Sequence, residues 1–186
     1  MKAIILDRDG VINKDSSEFI KSPDEWIPLK GSLEAIAKLK RAGYTVFVIT
    51  NQSGIARKLF TVGTLTSIHR KMVDSVLHHG GEIDAILYCP HGPDDNCECR
   101  KPKSGLFLEL AERMNLNLAD IPAVGDSIRD LQAAKAAGAK PILVKTGNGK
   151  KSANAINKGK HDELSDVESY KNLADYVEHL LKNNHS

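Results

Sequence analysis

Five short apolar runs, each closing on polar residues and followed by a stretch of different periodicity, set the rhythm of this chain. They are Ala3-Ile4-Ile5-Leu6 before Asp7, Thr45-Val46-Phe47-Val48-Ile49 before Thr50, residues 83–88 before Cys89, Ile121-Pro122-Ala123-Val124-Gly125 before Asp126, and residues 141–145 before Thr146. Nearly unbroken apolar runs of this length predict strands buried on both faces, as in a parallel sheet. Helical spacing fills the intervals. Ser32 is placed to cap a helix with Leu33, Ile36, Ala37 and Lys40 on one face, ended by Gly43. After Thr64 the positions Leu65, Ile68, Met72, Val73, Val76 and Leu77 predict a second helix, closed by Gly80-Gly81. A third carries Leu106, Leu110, Ala111 and Met114; a fourth opens after Ser127 and runs through Leu131 and Ala134 to Gly138. The last presents Leu173, Tyr176, Val177, Leu180 and Leu181.

Strands alternating with helices predict an α/β fold, a doubly wound, Rossmann-like parallel sheet flanked by helices. Two segments break the rhythm. Residues 14–30 contain Pro23 and Pro28 and are expected to lie as a loop over the strand ends, anchored by Trp26 and Ile27; residues 148–166, rich in lysine, read as a mobile polar loop. No repeat or linker divides the chain, so residues 1–186 are expected to form one domain, with a special loop at 89–99 and a polar loop and helix at 148–186.

Composition narrows the class. A net charge of +2 without a dense basic stripe argues against a nucleic-acid partner, and 27% charged with 41% apolar residues fits a soluble globular protein. No stretch approaches a membrane span, and the apolar run after Met1-Lys2 is too short for a signal-peptide core, so a cytoplasmic, monomeric protein is expected.

The strand ends carry the candidate chemistry. In an open parallel sheet, ligands bind beyond the carboxyl ends of the strands. Asp7 sits at such an end and Asp9 follows before Gly10; a carboxylate pair so placed can bind a hard cation or divide nucleophile and acid/base duties. Asp-x-Asp alone is equally a polar strand-to-loop turn. Thr50, with Asn51, Gln52, Ser53 and Gly54, offers a hydroxyl and backbone amides on the same edge. Asp126 can complete a magnesium site with Asp7, while Asp130 falls in the first helical turn, where it would orient its neighbours. His69, His78 and His79 share a helix with no cysteine or carboxylate cluster near them in sequence, and read as surface or internally satisfied histidines. Asp15, Ser16, Ser17 and Glu18 lie close enough behind the Asp pair to reach a polar ligand.

All three cysteines fall in one window, Cys89-x-His91 followed by Cys97-x-Cys99. Four soft-to-borderline ligands across a Pro/Gly/Asp loop are the number and type for a closed tetrahedral zinc site, in which no position remains for water; such a zinc is structural. A catalytic zinc or a redox dithiol is the alternative. Arg100 and Lys101 follow directly and are kept out of a helix by Pro102, so the metal loop rather than a helix would aim them, as a candidate anion site.

Asp7-x-Asp9-Gly10, then Thr50, then Lys101, then Gly125-Asp126-x-x-x-Asp130, in this order, resemble the haloacid dehalogenase (HAD) superfamily of phosphohydrolases. That resemblance runs from about residue 3 to residue 147. It implies an HAD fold, and a magnesium-dependent phosphatase with Asp7 as nucleophile, Asp9 as general acid/base, Thr50 and Lys101 stabilising the phosphoryl group, and magnesium on Asp7, Asp126 and the Asp9 carbonyl. The intervals between the motifs are already filled, leaving no room for a cap domain, so selectivity falls to the loops: Asp15, Ser16, Ser17 and Glu18; Asn51, Gln52, Ser53 and Arg57; and Arg100 for a second anionic group. Within the superfamily, the Thr50 to Arg57 stretch, the zinc knot and Arg100-Lys101-Pro102 resemble phosphatases of small phosphorylated sugars, with histidinol-phosphate phosphatases as the nearest alternative. A non-catalytic zinc-bearing binding module is the alternative of another class.

Overall fold

The computed structural model describes residues 1–183. The elements follow in order as β1 (Ala3–Leu6), α1 (Ser32–Arg41), β2 (Thr45–Asn51), α2 (Val62–His78), β3 (Ala85–Cys89), α3 (Gly105–Met114), β4 (Pro122–Gly125), α4 (Ile128–Ala136), β5 (Lys140–Val144), α5 (Gly149–Asn157), β6 (Glu168–Tyr170) and α6 (Leu173–Asn183). The sheet has six strands in the order β3-β2-β1-β4-β5-β6, and every pairing is parallel. The chain steps outward from β1 through β2 to β3, then returns to the other side of β1 and steps outward again. Right-handed crossovers taken in opposite directions place their helices on opposite faces.

The side chains follow that division. Ile4, Leu6, Val46, Val48, Val124 and Val144 meet α1, α2 and α6 on one face. Ala3, Ile5, Phe47, Ile49 and Ala123 meet α3 and α4 on the other. Successive strand residues alternate between two buried layers, which is why the runs carry no polar break. Between β1 and β4 the stepping direction reverses, leaving a crevice where no helix crosses over the strand ends; such switch points are where open α/β sheets bind ligands.

The loop over the strand ends is anchored by Trp26 and Ile20, not by Ile27. Trp26 is buried and receives Lys71 Nζ at 3.0 Å on its carbonyl, whereas Ile27 is 47% exposed because its backbone, not its side chain, pairs with Lys14. Ser32 does not cap α1; Gly31 takes that position and the Ser32 hydroxyl donates to the Val11 carbonyl at 2.9 Å. Residues 148–166 are not a loop. They form α5 and a 3-10 turn at Asp162–Leu164, packed through Ala153 and Ile156 against Leu131, Leu143 and Leu164. The stripe that faces the body, Gly149, Ser152, Ala153 and Ile156, is too small and polar to show as an apolar period. β6, three residues long and mostly exposed, extends the sheet at that edge. Among the described residues no helix is long and apolar enough to cross a membrane.

Candidate active site

The switch point gathers the predicted motifs. Asp7 follows β1, its amide donating to the Val124 carbonyl of β4 at 2.9 Å, so β1 and β4 deliver Asp7 and Asp126 side by side. Gly10 makes that approach possible. It has φ +83°, and a Cβ there would lie 2.1 Å from Asp126 Oδ2, so neither a side chain nor an ordinary backbone conformation is allowed. Thr146, after β5, closes the arrangement by donating to the Gly10 carbonyl at 2.6 Å.

Lys101 is the electrostatic centre. It is 3% exposed, and its ammonium lies 2.9 Å from Asp7 Oδ1, 2.6 Å from Asp130 Oδ1 and 3.0 Å from the Ile49 carbonyl. Burial alone would favour the neutral amine, but Asp130 and Asp7 outweigh it and hold Lys101 above its ordinary value. Burial pushes Asp130 the other way, up, yet Lys101 and the Ser127 donors, at 2.7 Å and 3.0 Å, bring it below the usual carboxylate range. Ser127 and Asp130 also close a capping box at the start of α4.

Asp126 is left with a different balance. It accepts from the Asn148 amide at 2.7 Å, but no ammonium or guanidinium pairs with it among the described residues. Burial, then Asp130 and Asp7, raise it to about 9; burial, then Asp130, raise Asp7 to about 7 against the pull of Lys101. Oxygens of Asp7, Asp126 and Asp130 lie within 4.8 Å of one another. Among these three close carboxylates, Asp126 and Asp130 buried and Asp7 partly so, the one ammonium pairs only with Asp7 and Asp130, so the surplus negative charge and the hard oxygen donors of Asp7 and Asp126 fit a divalent cation.

Asp9 stands beside this cluster rather than in it. Arg8, Asn13 and Gln52 donate to its two oxygens at 2.9–3.1 Å, and Gln52 also donates to the Thr50 hydroxyl at 2.9 Å. Asn51 is turned inward: its amide exchanges two hydrogen bonds, both 3.1 Å, with the backbone of Lys101, so it fixes the lysine rather than facing the cavity with free donors.

An open cavity of about 220 Å³ lies over these groups. Asp15, Ser16, Asn51, Gln52, Ser53 and Arg100 border it as expected of the loops, while Ser17 borders a neighbouring depression and Glu18 and Arg57 border neither. Arg57 instead stacks on Phe19, its guanidinium carbon 5.6 Å from the ring centre. Phe19, Ile20, Ser127, Arg129, Asp130 and Asn148 also line the cavity. Position after a strand end could have flagged Ser127, Arg129 and Asn148; nothing local marks Phe19 or Ile20. Arg100 and Arg129 lie close enough that, after burial, Arg129 is the chief influence lowering the Arg100 pKa. Among the described residues only Arg8 and Arg113 have carboxylate partners, so both cavity guanidiniums remain available to an anion.

Behind Arg100 lies the knot. Cys89, at the end of β3, is 3.1 Å from Cys99 Sγ and 3.6 Å from both Cys97 Sγ and His91 Nδ1, and His91 Nδ1 is 3.2 Å from Cys99 Sγ. The cysteines are unpaired by disulfides. Burial raises Cys89, and burial with its two thiol neighbours pushes Cys99 up to about 12; against burial, hydrogen bonds from Cys99 and the Arg100 backbone bring Cys97 down to about 7. Three sulfurs and one imidazole nitrogen converging on one point fit a tetrahedral zinc ion, and the thiols would give up their protons to it. Arg100 donates to the His91 carbonyl at 3.3 Å, tying the knot to the cavity.

The profile of the HAD-hydrolase-like family matches residues 98–176. A relative from Bordetella bronchiseptica, named D-glycero-beta-D-manno-heptose-1,7-bisphosphate 7-phosphatase, is 60% identical over 151 residues, spanning 81% of this chain and 84% of its own length. A protein of the same name from Neisseria meningitidis serogroup A is 50% identical over 184 residues, 99% of this chain and 97% of its own. The crystal structure described as D,D-heptose 1,7-bisphosphate phosphatase from B. bronchiseptica, complexed with magnesium and phosphate, superposes with a TM-score of 0.93 at 54% identity, covering 98% of this chain and 99% of that one.

Proposed function

The chain belongs to the HAD-like hydrolases, and from that premise we propose that it removes the C7 phosphate of D-glycero-beta-D-manno-heptose 1,7-bisphosphate, leaving heptose 1-phosphate for nucleotide activation and lipopolysaccharide synthesis in the cytoplasm. The observation that carries this reading is the placement of Asp7 against Lys101 at one end of the cavity and of the unpaired Arg100 and Arg129 at its wall. One group of the substrate would meet a nucleophile with its countercharge; a second anion would meet two guanidiniums, which bind phosphate oxygens in pairs.

Asp7 is the nucleophile. As its oxygen bonds to phosphorus, the ester P–O bond breaks with its electron pair on the sugar oxygen, which takes the Asp9 proton. Water then attacks phosphorus, gives its proton to Asp9, and the Asp7–phosphorus bond breaks. Lys101 and the Thr50 hydroxyl offset charge spread over the phosphoryl oxygens. Asp7 and Asp126, with the Asp9 carbonyl, would hold magnesium, which when bound supplies positive charge to the phosphoryl oxygens and screens the nucleophile from its anionic substrate. Cys89, His91, Cys97 and Cys99 would hold a structural zinc that fixes the approach of Arg100 and Lys101. Asp15, Ser16 and Ser53 border the sugar.

Phosphate release from heptose 1,7-bisphosphate, heptose 7-phosphate and histidinol phosphate, with and without magnesium, tests the reading. The bisphosphate should give the highest kcat/KM, and Arg100→Ala should erase its advantage over the monophosphate. Faster turnover of histidinol phosphate would transfer the assignment to amino-alcohol esters. Retention of turnover by Asp7→Asn would remove the nucleophile altogether.

A further inference from the structure

The geometry points to Arg8, braced from behind by His69, as a positioning residue that sets the carboxyl of Asp9 for proton transfer to the leaving oxygen. This rests on the acid/base role proposed for Asp9.

Strand alternation turns Arg8 away from Asp7, into the interior, where its side chain is fully buried. A buried guanidinium carries a large desolvation cost, which persists only where its partners offset it. Its side-chain partners are two. Nε lies 3.1 Å from Asp9 Oδ1, and Nη2 lies 2.9 Å and 3.0 Å from the two Asp9 oxygens. From the opposite side, Nη1 lies 3.2 Å from Nε2 of His69, a residue of α2 only 9% exposed. A guanidinium has donors only, so Nε2 accepts and the His69 ring is neutral. Burial, then the Arg8 charge, hold the His69 pKa near 4, consistent with that state.

The far side of Asp9 is fixed as deliberately. Asn13 Nδ2 donates to Asp9 Oδ1 at 2.9 Å and to the Lys14 carbonyl at 3.0 Å, although this leaves its buried Oδ1 with no partner. A flipped amide would set that oxygen against two acceptors instead. Of the donors to Asp9, only Gln52 belongs to the cavity wall. Arg8 and Asn13 therefore fix the plane of the carboxyl from within, and the Gln52 contact at Oδ2 is the one a leaving sugar oxygen would replace. In the first step the Asp9 O–H bond breaks and the sugar O–H bond forms as the P–O bond cleaves; in the second, the proton from water restores Asp9. Both transfers need Oδ2 facing the oxygen that leaves or attacks phosphorus, and Arg8 supplies the aim.

The test compares two esters. An alkyl ester leaves poorly without a proton, whereas the phenolate of p-nitrophenyl phosphate leaves unaided. Arg8→Met and His69→Leu should lower kcat on the alkyl ester about tenfold or more, with KM within about twofold, and lower p-nitrophenyl phosphate turnover about threefold or less. His69→Gln, which keeps an acceptor for Nη1, should restore much of the alkyl-ester rate. Circular dichroism and melting establish folding; should Arg8→Met fail to fold, Arg8→Lys and the His69 pair decide. Equal losses on both esters, a loss confined to KM, or no rescue by His69→Gln would overturn the assignment. The alkyl ester is heptose 1,7-bisphosphate or, if the parent enzyme prefers another, that one, so an error in the substrate shows in the parent before any variant is read.

Discussion

Replacing Lys101 with methionine keeps the stem of the side chain and removes the one ammonium shared by Asp7 and Asp130. The lysine is 3% exposed, and its three contacts, at 2.9, 2.6 and 3.0 Å, all involve groups that water does not reach freely. Breaking a buried pair by removing one partner costs about 3–5 kcal/mol, because the surviving charge stays buried without compensation. For a chain of this length each kcal/mol moves the melting temperature by about 2–4 °C, so the metal-free variant should melt about 6–20 °C below its parent. Two features of the cluster refine the expectation. Magnesium should return part of the loss, since a dication compensates the same carboxylates, so the variant should gain more from the metal than the parent does. Lys101→Met combined with Asp130→Asn should melt above Lys101→Met alone, because the second change removes the orphaned charge. Turnover should stay about a hundredfold or more below the parent in both variants, because each lacks the cation proposed for the phosphoryl oxygens. The assay is calorimetry across a magnesium series, paired with phosphate release. A variant that melts with its parent in the absence of metal would refute the claim that Lys101 holds the carboxylates together.

His69 predicts a pH dependence whose sign follows from its depressed pKa. The unfolded chain takes up the proton near pH 6.5 and the folded one only near 4, so stability is complete above about 6.5 and falls by about 3 kcal/mol as pH drops between the two values. His69→Gln should flatten that part of the curve in chemical denaturation. Removing one of the four proposed zinc ligands, by Cys99→Ser, should lower the zinc content measured by atomic emission and open residues 90–100 to protease, since that loop has few apolar contacts to order it. Gly125→Ala would set a Cβ 2.3 Å from that of Asp130 and displace the capping box, so both melting temperature and turnover should fall; a crystal of the variant with Asp130 still on Lys101 would show the close approach to be dispensable.

Much of this protein is written in local pattern. The strand runs of β1 to β5 are continuous because each strand is covered on both faces, and their polar ends mark one edge because crossovers keep the strands parallel. Asp7 and Asp126 were legible for that reason, Lys101 through the Pro102 that follows it and the family resemblance, and the four members of the cysteine–histidine knot because they lie within 11 residues of sequence and need only a loop to meet. α5 was not legible. Its buried side is made of small residues whose burial depends on what Leu131 and Leu143 leave open, so no period of apolar side chains announces it.

Tertiary structure decided what each residue is for. Asn51 and Gln52 are adjacent and alike in chemistry, yet one amide fastens the Lys101 backbone while the other faces Asp9 and Thr50, because alternation along the end of β2 sends them to different neighbours. Arg8 and His69 are 61 positions apart, and α2 must pack on the sheet before their nitrogens meet. Hydrophobic pattern depends on each residue's neighbours along the chain and is readable one segment at a time. Hydrogen bonds, ion pairs and shifted pKa values depend on which groups arrive at the same few ångströms from separate segments, and only the folded chain specifies that.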